Sequence, residues 1–222
     1  MHILMFGKMP PIQGGVSKAT WVAAIDLVTA GHTVTFISNS MGYGFRQMAS
    51  ASGIEATIAR FAGKLEIRQV EAVPGLSYIP WAPPYLSQLL GNALAAAKSR
   101  TPDLVIGWYL EPYGVAASIF GRLADTQVIL RHAGSDLGRL KKVADLAPLY
   151  DHCLATASRV VASNNQEAMQ ILLDAGVRRE SLVQARGRGS TIPSASLPDL
   201  TLRYLSKRRR LSSATTVSNA TS

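Results

Sequence analysis

A chain of 222 residues with 47% hydrophobic residues has the composition of a globular protein and can bury one sizeable core. Its one cysteine, Cys153, excludes an intrachain disulfide and a cysteine-based zinc site, and reads as a core residue in a reducing compartment. The net charge of +9 suggests a nucleic-acid binder only until it is located: residues 1–177 carry 14 Lys+Arg against 12 Asp+Glu, residues 178–222 carry 9 against 2, so the charge belongs to the tail.

The chain opens on a short apolar run, His2 to Phe6, with too little alternation for a strand with one solvated face, as expected of a buried parallel strand. A loop containing Lys8, Pro10 and Pro11 follows and is closed by Gly14-Gly15. Beyond it Val16, Ala19, Thr20, Ala23, Leu27 and Ala30 fall at helical spacing, and Gly31 is a stop signal. Thr33 to Ile37, rich in β-branched residues, predicts a second strand, giving a right-handed βαβ unit. Asn39 to Gly44 reads as a loop, with a weak helix from Phe45 to Ser52 and a strand from Leu65 to Val70. Pro74 to Pro84 reads as an irregular connection, and Pro83-Pro84 suits the first turn of a helix whose apolar face is Tyr85, Leu86, Leu89, Leu90, Ala93 and Ala97.

Leu104 to Trp108 predicts another buried strand, ending in the polar loop Tyr109 to Gly114 before a helix to about Ala124. Gln127 to Leu130 is the next strand, followed by Arg131-His132-Ala133-Gly134-Ser135-Asp136. A helix from Leu146 to Ala157 precedes a strand from Arg159 to Ala162. Ser163 or Asn164 is expected to cap a helix from Gln166 to Ala175, which Gly176 ends, and Ser181 to Gln184 is a last short strand. Alternating strands and helices predict a doubly wound, mostly parallel α/β sheet with helices on both faces. Such folds take ligands at the carboxyl ends of their strands, where the loops after Phe6, Trp108 and Leu130 all fall. From about Gly189 the pattern fails, and residues 189–222, Ser/Thr-rich and basic, are expected to be disordered.

No secretory signal is visible, and the uncharged window Ala72 to Ala97 holds Pro74, Pro80, Pro83 and Pro84, which excludes a lipid-exposed helix over its first half. The expectation is a cytoplasmic protein whose contact with a membrane is at most peripheral. The run Lys207-Arg208-Arg209-Arg210 gives weak, salt-dependent attraction for polyanions, and without interleaved aromatics it predicts no specific nucleic-acid recognition.

Three loops carry candidate chemistry. Gly14 and Gly15 either make the turn into the helix or let a phosphate approach backbone amides at its positive end. The loop has neither the G-x-G-x-x-G spacing of a dinucleotide fold nor the P-loop pattern, which argues against an ordinary NAD enzyme or NTPase. His132 at a strand end is suited to a sugar hydroxyl or to proton transfer, or else is structural. Asp136 caps the following helix or binds a hydroxyl, and Glu111 is a solvated loop acid or a general base. His2, His32 and His152 form no metal spacing, and no G-x-S-x-G elbow marks a hydrolase.

The opening strand, Pro10-Pro11-Ile12-Gln13-Gly14-Gly15-Val16, the helix ending Ala30-Gly31-His32, the stretch Arg131 to Asp136, and Val160 to Val177 together resemble the N-terminal domain of retaining GT-B glycosyltransferases of the family-four type. The resemblance spans residues 1–188. It implies a Rossmann-like domain that binds a glycan, lipid or small-molecule acceptor and closes over a nucleotide-sugar held by a second domain. It also implies His132 near the transferred sugar, substrate contacts at Gly14, Gly15, Glu111, Gly134, Ser135 and Asp136, and retention of anomeric configuration with neither cofactor nor metal. The donor domain's Glu-x7-Glu motif has no counterpart, since no two glutamates stand eight positions apart. The expectation is therefore half a site, either in a truncated product or completed by a separate donor-domain polypeptide. The alternative is a domain that binds a sugar or phosphate without turnover.

Overall fold

The computed structural model describes residues 1–12, 14–39, 52–70, 85–132, 134–162 and 165–184. The expected weak helix at 45–52 (apart from Ser52), the irregular 74–84 connection, the caps expected at Ser163 or Asn164, and the tail lie outside them. Among these residues seven strands form one sheet: β1 (His2–Phe6), β2 (Thr33–Asn39), β3 (Leu65–Val70), β4 (Leu104–Trp108), β5 (Val128–Arg131), β6 (Arg159–Ala162) and β7 (Leu182–Gln184). Every pairing is parallel, in the order β3-β2-β1-β4-β5-β6-β7. The order reverses between β1 and β4, so the connections leaving their carboxyl ends turn to opposite faces and open a crevice there.

Among the described residues seven helices flank the sheet: α1 (Gly15–Thr29), α2 (Ser52–Arg60), α3 (Tyr85–Ser99), α4 (Val115–Leu123), the short α5 (Gly134–Gly138), α6 (Ala147–Thr156) and α7 (Gln166–Asp174). All five residues of β1 are buried, because both of its faces are covered. Its alternate side chains feed two cores. Leu4 and Phe6 join Val105, Leu130, Phe120 and Leu154, with Tyr150 and Cys153 of α6 in the same cluster. Ile3 and Met5 join Val34, Phe36, Ile106, Trp108 and the Ala23, Ala24, Leu27 and Val28 face of α1.

The elements follow the sequence pattern with small, explicable differences. Helix α1 buries Ser17 and Thr20 in its first turns, a face slightly rotated from the one Val16 and Ala19 suggest. The Thr20 hydroxyl bonds the Lys8 carbonyl, which fastens the helix to the loop after β1. Strand β5 runs one residue later than expected, so Arg131 is part of it and pairs with Trp108. The cap of α7 is Asn165, whose side-chain oxygen accepts from the Glu167 amide at 2.9 Å. Helix α2 was not expected, although Ser52 and Glu55 stand at capping-box spacing and Gly63 follows its end. Among the described residues no helix is long and apolar enough to cross a membrane.

Candidate functional site

The loops after β1, β4 and β5 emerge at the same carboxyl edge, either side of the crevice. On one side, Gly14 is the N-cap of α1 with φ 135° and ψ 156°, a backbone region that side chains rarely adopt, and its carbonyl accepts from the Lys18 amide at 3.3 Å. A Cβ added at Gly14 would stand 3.3 Å from Lys8 Nζ, which places an ammonium beside the helix start. Burial lowers the pKa of that lysine. At Gly15 an added Cβ meets nothing within 4 Å, so the first turn of α1 is open on that side.

On the other side, β4 ends in a compact knot. Tyr109 has φ 79°, an uncommon conformation for a non-glycine residue, worth about 1–3 kcal/mol of strain. It is held there by two bonds: its amide donates to the Arg131 carbonyl at 2.9 Å, and its carbonyl accepts from Gly114 at 2.8 Å. A π-type turn, Leu110–Gly114, then leads into α4, with Glu111 in extended backbone (φ −106°, ψ 121°). Glu111 is half-buried, and Tyr150 of α6 donates its hydroxyl to Oε2 at 3.1 Å. Burial raises the Glu111 pKa, and the Tyr150 bond opposes the shift. Tyr150 is itself raised, by burial and then by the Glu111 charge.

The loop after β5 ties into this knot through Asp136. Its side chain is fully buried inside α5 and accepts from the Leu110 amide at 3.0 Å and from the Leu137 amide at 2.9 Å. Its Oδ1 lies 3.9 Å from Nδ1 of His132, whose ring is also fully buried. Arg131, 1% exposed, stacks its guanidinium 5.6 Å over the Trp108 ring and donates to the Val161 carbonyl at 3.3 Å. Burial brings its pKa down to about 10 while the Asp136 charge supports the cation, so it stays protonated at neutral pH.

The structure thus places Glu111, in the turn that Asp136 holds, near His132 and Asp136 on one side of the crevice, with Gly134 and Ser135 opening α5 there and Gly14 and Gly15 at the start of α1 on the other side. The side chains of Asp136 and His132 are both buried. Asp136 has given both oxygens to backbone amides, and the His132 ring has no exposed surface. Asp136 thereby fixes the start of the Leu110–Gly114 turn. Tyr150, Arg131 and Tyr109 were not singled out from the sequence. Tyr150 lies 39 residues from Glu111 within an apolar helix face, so no local pattern marks it, whereas Arg131 beside a buried strand was a visible signal. Among the described residues no group of three His, Cys, Asp or Glu side chains is placed to hold a metal.

No family model matches the sequence, and neither does any curated protein. Solved structures do match the fold. An Arabidopsis thaliana protein, UGT89C1, crystallised with quercetin, superposes with a TM-score of 0.57 at 12% identity over 90% of this chain and 54% of its own. The UDP-GlcNAc 2-epimerase of Methanocaldococcus jannaschii gives 0.56 at 12% identity, over 83% and 45%. Anabaena Alr3699/HepE, in complex with UDP and glucose, gives 0.53 at 15% identity, over 83% and 44%. The fold is accordingly the Rossmann-like α/β fold of GT-B proteins, and the chain spans about half the length of these neighbours.

Proposed function

We propose that residues 1–188 are the acceptor-side half of a glycosyltransferase of the retaining, family-four type, which moves a sugar from a nucleotide-sugar to a glycan, lipid or small-molecule hydroxyl. The observation behind this reading is that the open first turn of α1 and the Glu111 turn held by Asp136 both stand at the carboxyl edge of the sheet, on either side of the β1/β4 switch point. In this reading the Gly14-Gly15 amides and the positive end of α1 face the donor's phosphates, and Glu111 faces a sugar or acceptor hydroxyl. The backbone of Gly134 and Ser135 completes that wall. His132 and Asp136 position the wall, with Asp136 holding Leu110 and hence the Glu111 turn. The C1–O bond to the phosphate breaks as the acceptor oxygen bonds C1, and the acceptor proton passes to the departing phosphate oxygen. A donor-side half, in most such enzymes the main nucleotide holder, closes over this edge.

The HepE and UGT89C1 structures, which hold UDP, glucose or quercetin, support the substrate class by likeness of fold. The burial of the His132 ring favours a second reading, a domain that binds the same ligands without turnover. Calorimetric titration with UDP-glucose and UDP tests both. Weak, saturable binding lost in Gly15→Val and weakened in Glu111→Gln supports the site, and sugar transfer upon adding a donor-side half separates enzyme from binder. Binding indifferent to both substitutions would show that the site lies elsewhere.

A further inference from the structure

A second concavity lies at the opposite edge of the sheet, where β1, β2 and β3 begin and α3 ends. It encloses about 420 Å³, within the range of small-molecule sites, and is independent of the crevice described above. Its floor is a hydrogen-bonded chain. The Thr35 hydroxyl donates to Glu66 Oε2 at 3.1 Å, and Glu66 Oε1 accepts from Arg68 Nε at 2.7 Å, so the Glu66 charge is met by Arg68. With its single proton committed to Glu66, Thr35 accepts from His2 Nε2 at 2.9 Å. The other ring nitrogen, Nδ1, faces the Thr101 carbonyl at 3.4 Å, and the His2 amide donates to Asp103 Oδ2 at 2.8 Å.

This arrangement asks for protons on both nitrogens of a ring that is 3% exposed. Burial and the Arg100 charge oppose the second proton and keep the pKa of His2 below the ordinary imidazole value, against help from the Thr101 carbonyl, Asp103 and Glu66. Two cations, Lys64 and Arg100, line the cavity, and among the described residues neither has an ion-pair partner. Ser99 and Thr33 add hydroxyls, and Leu65 and Ala96 give the wall an apolar part.

We infer that this cavity binds a small phosphate-bearing dianion, clamped by Lys64 and Arg100. With the Glu66 carboxylate of the lining met by Arg68, the two cations can take two negative charges, and a phosphate group offers three acceptor oxygens to them and to the nearby hydroxyls. The carbonyls at the end of α3 oppose an anion, but an end-of-helix dipole at an exposed site is weaker than a charge-assisted hydrogen bond. A bound dianion also offsets the field of Arg100 on His2, so occupancy and protonation of that ring rise together.

The test is calorimetry on the full chain at low ionic strength, with inorganic phosphate and glycerol phosphate as probes. Saturable binding is expected in the wild type and in Gly15→Val, whose substitution lies at the other edge. Binding should be about tenfold weaker or worse in the Lys64→Gln/Arg100→Gln double variant. NMR titration of the His2 ring should show its pKa rising with phosphate in the wild type but not in the double variant. Tighter binding of glycerol phosphate identifies an esterified ligand, and equal binding identifies the free ion. Absence of saturable binding, undiminished binding in the double variant, loss of binding in Gly15→Val, or a His2 titration blind to phosphate would each overturn the inference.

Discussion

Gly107 in the middle of β4 fixes how closely the Glu111 turn lies on the sheet, and Gly107→Ala tests that directly. The added Cβ would stand 2.7 Å from Ala117 Cβ, 2.8 Å from Gly114 Cα and 3.0 Å from the Tyr113 carbonyl oxygen. Two of these three atoms are backbone, so no rotamer change relieves the clash, and α4 and the turn before it must move away from β4. Overpacking of a core costs about 1–3 kcal/mol, and a rigid backbone wall places this site near the upper end. For a domain of this size each kcal/mol shifts Tm by about 2–4 °C, so a fall of about 6–12 °C is expected in thermal unfolding followed by circular dichroism. Gly121→Ala is the comparison. Its Cβ meets Val128 Cγ2 at 2.2 Å and the Thr126 carbonyl oxygen at 3.0 Å, so Val128→Ala, which removes the shorter contact, should restore part of the lost stability. Ala117→Gly should not rescue Gly107→Ala, because the Gly114 contact remains. A loss below about 1 kcal/mol in Gly107→Ala, or full rescue by Ala117→Gly, would refute the idea that backbone contact sets the position of the turn.

Three further outcomes are expected. Gly14→Ala forces a side chain into φ 135° and should destabilise the fold by about 1 kcal/mol or more. Gly15→Ala meets no atom within 4 Å and should be neutral or stabilising by up to about 1 kcal/mol; chemical denaturation reads both, and equal effects would refute the assignment of the cap. Asp136→Asn leaves the buried Arg131 without its charge partner and turns an amide donor toward a backbone N–H, for a loss of about 3 kcal/mol in urea unfolding; a loss under about 1 kcal/mol would mean that another group compensates Arg131. Glu111 has a folded-state pKa above its unfolded value, so as pH rises from about 4 the unfolded chain releases its proton first and stability falls through that window. Glu111→Gln should remove this slope and unfold at higher denaturant than wild type at neutral pH, provided its amide oxygen keeps the Tyr150 bond; an unchanged pH profile would show that Glu111 is effectively solvated.

The strands and their order of burial were legible because apolar runs such as His2–Phe6 and Leu104–Trp108 have no other use in a chain that alternates with helices. Gly31 and Gly176 end α1 and α7 where the pattern places them, with φ of 92° and 84°. The edge on which the three loops meet also followed, since parallel strands put every βα loop on one side. What did not follow was the direction in which side chains spend their bonds. Asp136 looks like a cap or a ligand in sequence, and only the fold brings the Leu110 amide, 26 residues away, onto its carboxylate. The Tyr150–Glu111 bond and the His2–Thr35–Glu66 chain are equally non-local, and periodicity carries no information about them. The shift of β5 by one residue is of the same kind: Arg131 belongs to the strand because its backbone pairs with Trp108 and its carbonyl accepts from the Tyr109 amide.

The charges at the carboxyl edge bear on how strongly this chain can hold a nucleotide by itself. Arg131 is the most deeply buried cation there, and its guanidinium is occupied by Trp108, the Val161 carbonyl and the Asp136 charge, facing into the protein. Among the described residues, the positive end of α1 and the Lys8 ammonium beside Gly14, whose pKa burial lowers, stand on the β1 side of that edge. A helix end contributes about 0.3–1 kcal/mol to an exposed anion, and a charge-assisted hydrogen bond about 1.5–3 kcal/mol. Together they fall several kcal/mol short of the roughly 8 kcal/mol that micromolar binding requires. A diphosphate is therefore expected to bind this edge in the millimolar range, and Lys8→Met should remove most of that. Micromolar UDP binding by the wild-type chain, measured by calorimetry, would require cations that the described crevice does not contain.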